Sequence, residues 1–574
     1  MEPPDAPKEK RLPMVGWFDP KQLAVTAVDV AISTIFGRHA DKRLIEAMTL
    51  GDDAPQPFVY PKRGQQDAED FWLDYAADVG DGWNSTYAVA HYLSRETLDL
   101  TAPDGTVHET QRGSVLVFGG DEVYPAASRR NYEERLLTPY RAALGRTTPQ
   151  PDVFAIPGNH DWYDSLVSFT RFFLSGKDFG TWQTRQRRSY FALKLPHRWW
   201  LFGIDVQLGS DIDVLQQRYF KEIAREIGPR DHIILCTSEP EWVLEKMYSG
   251  YDASTYNERT IRDFEERILG HRVDVVIAGD LHHYRRHEHS TDAEWKRQKI
   301  IAGGGGAFLH PTHGPDVDVL GKSRATYRKR CSYPDEATSR RLCWRNVMFP
   351  LLNRSFLWLA GTVYLLSAWA MKMEIPQAGR WAWDEALYQT GEQLLRSPSA
   401  SFWVMGVLAM FVLFTDTHST KYRFIGGLSH GLAHLIAIFF ISWTSIFLAD
   451  GFDFPRQGWG GFIGWYLLPG LFIFGVGAFI GSLLMGLYLL GSLNLFGRHS
   501  NEAFSALAIE DWKNFLRLRI NKHGLTIYPV GIDRVPRKWK QTDDETLPDD
   551  PSATPPKLIE KPIALGEIET QNLV

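Results

Sequence analysis

The sequence predicts an α/β catalytic half followed by an α-helical transmembrane domain of about four spans. Two observations carry this. First, three polar blocks, Gly119-Gly120-Asp121-Glu122, Gly158-Asn159-His160-Asp161 and Gly279-Asp280-Leu281-His282-His283, each follow an apolar, strand-like run at 114–118, 153–156 and 273–278. Open α/β sheets build their sites just beyond strand ends, so the blocks are expected to converge on one site. Second, beyond residue 345 the chain turns into long runs almost free of charge, at 347–371, 401–415, 424–449 and 461–497. Apolar runs of about 18 or more residues read as membrane spans.

Taken in order, residues 1–60 read as an N-terminal helical segment. The charged, Pro-rich start at 1–11 has no apolar stretch behind it, so no secretory signal is expected. Pro20 opens an amphipathic stretch at 20–36 that would lie on the catalytic domain or on a membrane. Residues 61–320 form the catalytic domain. Its first acidic group, Asp78 and Asp81, either supplies ligands or caps the helix expected at 83–93. Asp121 can bridge two cations, Asn159 offers a carbonyl oxygen and His282 an imidazole nitrogen, a mixed shell that suits Mn, Fe, Zn or Co. His160 is placed to protonate a leaving oxygen, with Asp161 orienting its ring. His283 and Arg285, in the basic stretch after the last block, are candidates for binding a substrate anion. The Gly303–Gly306 run permits close backbone approach to a ligand, and His310 or His313 borders the cleft or sits in a plain loop.

The order and content of these blocks resemble the calcineurin-like metallophosphoesterases, whose pattern runs D-x-H, G-D, G-N-H-D/E, a lone His before Pro, then G-H-x-H. The chain is similar to a membrane-anchored, bacterial-type member with divergent metal motifs, over roughly residues 70–315. The resemblance implies a β-sandwich with flanking helices and two divalent metal ions. It makes Asp121 the bridging ligand, Asn159 a second-metal ligand, His160 the catalytic imidazole and His282 a first-metal ligand. Metals roughly 3.5–4 Å apart would clamp a phosphate and supply hydroxide for in-line attack. Three positions depart from the pattern. Gly80 stands where D-x-H has His, with Asp81 beside it. Ser238 stands at the lone His, with Glu239 beside it, and Asp280 replaces the first His of G-H-x-H. Oxygen ligands at Asp78, Asp81, Glu239 and Asp280 would harden the shell and favour Mn among Mn, Fe, Mg and Zn. The same departures would also suit a site that binds without turnover, in a membrane signalling or scaffold protein.

Charge asymmetry orients the spans. Lys322, Arg324, Arg328, Lys329, Arg330, Arg340, Arg341 and Arg345 precede the first run, whereas Glu374, Asp384, Glu385 and Glu392 follow it. The positive-inside rule puts the catalytic half and the tail in the cytoplasm, at an inner or plasma membrane. That alternation closes with an even number of spans, and a hairpin at Pro469-Gly470 would make five. His430 and His434 lie one helical turn apart, for hydrogen bonding between helices or for a metal or proton site. Residues 498–540 read as a small cytoplasmic domain with helical spacing at 503–518 and a strand at 525–530. Residues 541–574, rich in Asp, Glu, Pro and Thr, read as a disordered acidic tail.

Composition bounds the rest. At 574 residues and a formal net charge of −6, the chain is not a general nucleic-acid binder, and its three cysteines carry no disulfide or zinc spacing. The expected substrate is a phosphorylated small molecule such as a nucleotide, or a lipid-linked phosphate or pyrophosphate from the membrane.

Overall fold

The computed structural model describes residues 11–25, 28, 55–61, 69–144, 150–206, 212–247, 258–270, 273–290, 296–321, 326–371, 383–415, 419–452, 454–455, 457–542 and 546–566. The first sheet is seeded by β1 (Asp70–Ala76), β2 (Val115–Phe118) and β3 (Asp152–Ala155), which pair in parallel. Helix α1 (Trp83–Ser94) connects β1 towards β2. These strands are buried on both faces, which is why they read as continuous apolar runs and not as alternation. The second sheet holds β4 (Phe191–Lys194), β5 (Trp199–Gly203), β6 (His232–Cys236), β7 (Val273–Ala278), β8 (Tyr284–His289), β9 (Gln298–Ala302) and β10 (Tyr327–Tyr333). Their order is β4-β5-β6-β7-β9-β8-β10. Leu73, Val115 and Phe154 of the first sheet meet Phe191, Leu201, Ile234 and Ile277 of the second in a shared apolar layer. The two sheets therefore form a sandwich with helices outside.

After the second sheet the chain enters a helical region. It comprises α2 (Phe356–Met371), α3 (Trp383–Arg396), α4 (Pro398–Phe414), α5 (Thr420–Gly451) and α6 (Leu468–Phe496). Among the described residues, two helices are long and apolar enough to cross a membrane, α5 and the 458–496 stretch that ends in α6. A third crossing is possible by length if α3 and α4, bent by 102°, count as one span. The 16-residue α2 extends about 24 Å at 1.5 Å per residue, short of a typical hydrocarbon core. Gly477 and Gly481 let α6 approach α2, since a Cβ at either would sit 2.7 Å from the Tyr364 side chain. His430 and His434 of α5 join helices: the Tyr364 hydroxyl meets His434 Nδ1 at 2.9 Å, His434 Nε2 meets His430 Nε2 at 3.1 Å, and the His430 ring stacks on Tyr488.

Beyond α6 the chain returns to the sandwich. A short helix, Ser500–Ser505, leads into a hairpin of β11 (Lys513–Asn521) and β12 (Gly524–Ile532). β11 lies antiparallel beside β1, with Leu518 opposite Leu73. Residues 498–540 are thus not a separate domain but part of the first sheet. The helical spacing at 503–518 is overturned for the same reason, because Phe515, Leu516, Leu518 and Ile520 are buried on both faces of a central strand. The disordered reading of the tail is corrected over residues 546–566, while 543–545 and 567–574 lie outside the described residues. Strands Lys557–Leu558 and Ile563–Leu565 pair with β12, and Leu558 and Leu565 are buried there. Glu560 accepts hydrogen bonds from the Tyr284 hydroxyl and from Arg286. Acidic composition had suggested a solvated tail, but these few apolar residues find a sheet edge already built. Of the N-terminal amphipathic stretch, residues 20–25 are helical. Most of its remainder, and the basic residues Lys322 and Arg324, lie outside the described residues.

Candidate metal centre

The three polar blocks and the end of β1 do converge. Asp78, Asp121 and Asp280 each follow a buried strand with a positive φ, of 55°, 53° and 67°. Aspartate tolerates this left-handed region better than most residues, so each turn can follow its strand abruptly and face the carboxylate inward. Backbone hydrogen bonds knit the first two turns together, from Asp78 N to Gly120 O and from Val79 N to Asp121 O. Glycines give the room. A Cβ at Gly158 would lie 2.1 Å from Asp121 Oδ1, and one at Gly303 would lie 2.4 Å from Asp78 Oδ2. The Gly303–Gly306 run therefore serves close packing against Asp78, Asn514, Ala77 and Thr86.

At the centre lies a residue the blocks did not single out. The Tyr124 hydroxyl is 3.0 Å from Asp78 Oδ1, 3.2 Å from Asp121 Oδ2 and 2.9 Å from His282 Nε2. One hydroxyl proton cannot satisfy two carboxylates and an imidazole at once. Asp78 Oδ2 is buried without any hydrogen-bond partner. His282 Nδ1 meets the Phe308 carbonyl at 2.7 Å, which makes Nδ1 the protonated nitrogen and leaves the Nε2 lone pair facing the carboxylates. Burial, followed by mutual repulsion with Asp121 and Asp280, holds the Asp78 carboxyl well above its ordinary range. Asp121 is raised for the same reasons, with Asp161 its strongest charged neighbour. Among the described residues no three His, Cys, Asp or Glu side chains are spaced to hold a metal ion by themselves. The donor set fits a cation once the phenol oxygen is counted, since Asp78, Asp121, Tyr124 and His282 then offer three oxygens and one nitrogen around an under-partnered, acid-rich point.

A second group of donors flanks the first and is more open. Asn159 Nδ2 donates to the Tyr163 hydroxyl at 3.3 Å, leaving its carbonyl oxygen as the available donor. Asp280 and Glu239 are half-buried. Burial pushes Asp280 up to about 6, and burial with the nearby Asp280 charge pushes Glu239 up to about 8. With Asp121 they make an oxygen-only set, which fits a hard cation. His160 is anchored at both ends of its backbone turn, by its N–H to Asp121 Oδ1 at 2.9 Å and by ring Nδ1 to the Pro125 carbonyl at 2.6 Å. Nε2 is left as the outward nitrogen.

The structure places four of the expected site residues elsewhere. Asp81 accepts from Val15 N at 2.7 Å and lies 3.8 Å from Arg135, so it ties down the N-terminal segment. Asp161 does not orient His160. It accepts from Gly158 N, Glu122 N and the Tyr132 hydroxyl, closing the start of the helix Asn159–Trp162. His283 and Arg285 are buried and make no hydrogen bond to the carboxylate cluster. Arg285 is buried and donates to the Thr312 carbonyl. Conversely, sequence reasoning missed Lys513, buried at the start of β11 and bonded to the Ala307 carbonyl, with Asp81 and Asp78 among its charged neighbours. It also missed Trp17, whose ring packs edge-on against Tyr124, His160 and Phe308. His310 does border the centre, stacked on His282 at 3.9 Å.

Strand-end carboxylates are thus grouped around a tyrosine oxygen and an imidazole on an α/β sandwich. Residues 74–284 match the family model for calcineurin-like phosphoesterases. Two solved structures are similar at low identity. One is GAP50, described as the anchor in the inner membrane complex of Plasmodium (12% identity, TM-score 0.31, covering 46% of this chain and 81% of that one). The other is the purple acid phosphatase PPD1 from yellow lupin seeds (12% identity, TM-score 0.28, covering 49% of this chain). The chain spans about half (51%) of the lupin protein's length. No curated protein matches the sequence.

Proposed function

We propose that this chain is a membrane-anchored, metal-dependent phosphoesterase that hydrolyses a phosphate ester or pyrophosphate at the cytoplasmic face. The observation that carries the reading is the Tyr124 hydroxyl shared by Asp78, Asp121 and His282, which gathers three oxygen donors and one nitrogen around one point. Asp78, Asp121, Tyr124 and His282 would hold one metal, and Asp121, Asn159, Glu239 and Asp280 a second. Mn is favoured by the oxygen-rich second set. Such a pair supplies Lewis-acid polarisation of the phosphoryl group and activates water. His160 presents Nε2 to the leaving oxygen, held in place by the Pro125 carbonyl. Lys513 offsets part of the carboxylate charge from behind. We read the helical region as four crossings by α2, α4, α5 and α6. Arg340, Arg341, Arg345, Arg354 and Arg498 gather at the catalytic end, which favours the cytoplasm for that side.

The test is hydrolysis of aryl phosphate monoester and diester by the purified full chain, stripped with chelator and reloaded with Mn, Fe, Zn or Mg, beside Asp121→Asn. Metal-dependent turnover lost in the variant is the expected result. Metal binding without turnover by any of these ions would make Ser238 and Asp280 marks of a binding module and overturn the enzyme reading.

A further inference from the structure

The catalytic imidazole and the first membrane helix are separated by two adjacent side chains. Trp17 packs its ring 6.0 Å from His160 and 5.9 Å from Phe308. The next residue, Phe18, packs 5.0 Å from Phe349 and 5.9 Å from Phe356, the first residue of α2. Phe308, whose carbonyl fixes His282, lies in one apolar cluster with Met485, Leu489 and Leu493 of α6. The metal centre is thus built directly onto the ends of the helical bundle.

The segment leading into α2 has an unusual surface for a soluble face. Trp344, Val347, Met348, Leu351 and Leu352 are 62%, 41%, 50%, 57% and 41% exposed. Their exposure is imposed, because the opposite side of the same segment is locked. Phe349 is fully buried, and Asn346 Nδ2 donates to the Cys343 and Ala503 carbonyls. Exposed Arg340, Arg341, Arg345 and Arg354 flank the apolar residues. A fixed apolar face rimmed by arginines, continuous with a membrane helix, matches the interface of an anionic bilayer: side chains sit among acyl chains and guanidinium groups meet lipid phosphates.

We infer that the substrate is the phosphate of a membrane lipid, reached from the bilayer surface across the 344–352 segment while its acyl chains stay in the membrane. The inference rests on the phosphoesterase reading and names its substrate class. Trp17 and Phe18 are the side chains standing between that surface and His160, and a soluble ester would gain nothing from this surface.

The experiment compares metal-loaded full chain on dioleoyl phosphatidate and dioleoyl phosphatidylglycerol in mixed micelles with aryl phosphate monoester and diester in the same micelles. One lipid is expected to be turned over faster than its aryl counterpart, at a rate that follows its surface mole fraction. Trp344→Ser/Leu351→Ser/Leu352→Ser should lower the lipid-to-aryl ratio about tenfold by weakening interfacial insertion. Arg345→Gln/Arg354→Gln, which leaves the apolar face intact, should lower the same ratio and weaken its salt dependence. Turnover of aryl esters with lipids untouched, or a ratio that neither variant moves, overturns the lipid inference and leaves the phosphoesterase reading standing. No turnover of either class under any metal overturns both.

Discussion

At the scale of single residues, Tyr124 decides what the carboxylate cluster is. Its hydroxyl is the only group in the described centre within hydrogen-bond distance of Asp78, Asp121 and His282 together. Tyr124→Phe should weaken metal binding measured by calorimetric titration. It should also destabilise the metal-free protein by about 1–3 kcal/mol, since buried acceptors then lose their donor. Unchanged metal affinity would remove Tyr124 from the ligand set. Gly303→Ala tests the same site from the backbone. The new Cβ would meet Asp78 Oδ2 at 2.4 Å and the Leu281 carbonyl at 2.6 Å. Overpacking of this kind costs about 1–3 kcal/mol, and turnover should fall as Asp78 is displaced. Much of this centre was legible in sequence. Asp78, Asp121, His160, Asp280 and His282 come from strand-end blocks and are joined there by hydrogen bonds, directly or through Tyr124. Tyr124 was not singled out because it lies two residues beyond the Gly119–Glu122 block, past Val123, where a tyrosine reads as an ordinary core residue. Asp81 and Asp161 were misread because a carboxylate beside a ligand is equally suited to hold backbone N–H groups, and only the fold shows which N–H groups are there.

At the scale of elements, the hairpin of β11 and β12 is what ties the chain leaving the helices back into the sandwich. Arg517 on β11 is fully buried, 3.4 Å from Asp74 of β1, and donates to the carbonyls of Thr110, Leu93 and Arg95. Removing one member of a buried pair leaves the other charge without compensation. Arg517→Met should therefore cost about 3–5 kcal/mol, and Asp74→Asn/Arg517→Met should cost less than the single change. Thermal unfolding of the full chain in detergent reads both. If the double variant were the less stable, the carbonyl contacts and not the Asp74 charge would dominate. This element escaped sequence reasoning for a physical reason. β11 carries Arg517 and Arg519 among apolar residues, so its pattern fits a helix turn as well as a strand. Its pairing partner is β1, hundreds of residues earlier, which no local period can reveal. Strands β2, β3 and β7 were legible because burial on both faces demands short unbroken apolar runs.

At the scale of the whole molecule, the same hairpin fixes a parity. β10 lies before the helical region and β11 after it, yet both belong to one sandwich. Whatever part of residues 345–498 crosses a membrane must therefore cross an even number of times, which excludes five spans. The helix ends say which even number is favoured. Phe414, at the end of α4, stacks on His499, and Tyr422, at the start of α5, packs on Phe496, so the α4–α5 connection sits at the catalytic end. Trp459 lies after α5, where that 32-residue helix has carried the chain away, and is 81% exposed. These ends are what the four proposed crossings require; by length and composition, two helices among the described residues can cross, or three if α3 and α4, bent by 102°, make one span. In a background with Cys331 replaced, Ser419→Cys and Ser552→Cys should react together with a membrane-impermeant maleimide, both from the catalytic side. Trp459→Cys should react only from the other side. Labelling of Ser419→Cys and Trp459→Cys from one common side would reduce α4 and α5 to a single re-entrant unit. The crossing number would then fall to two, and the sandwich would stay on the side that Ser552→Cys reports.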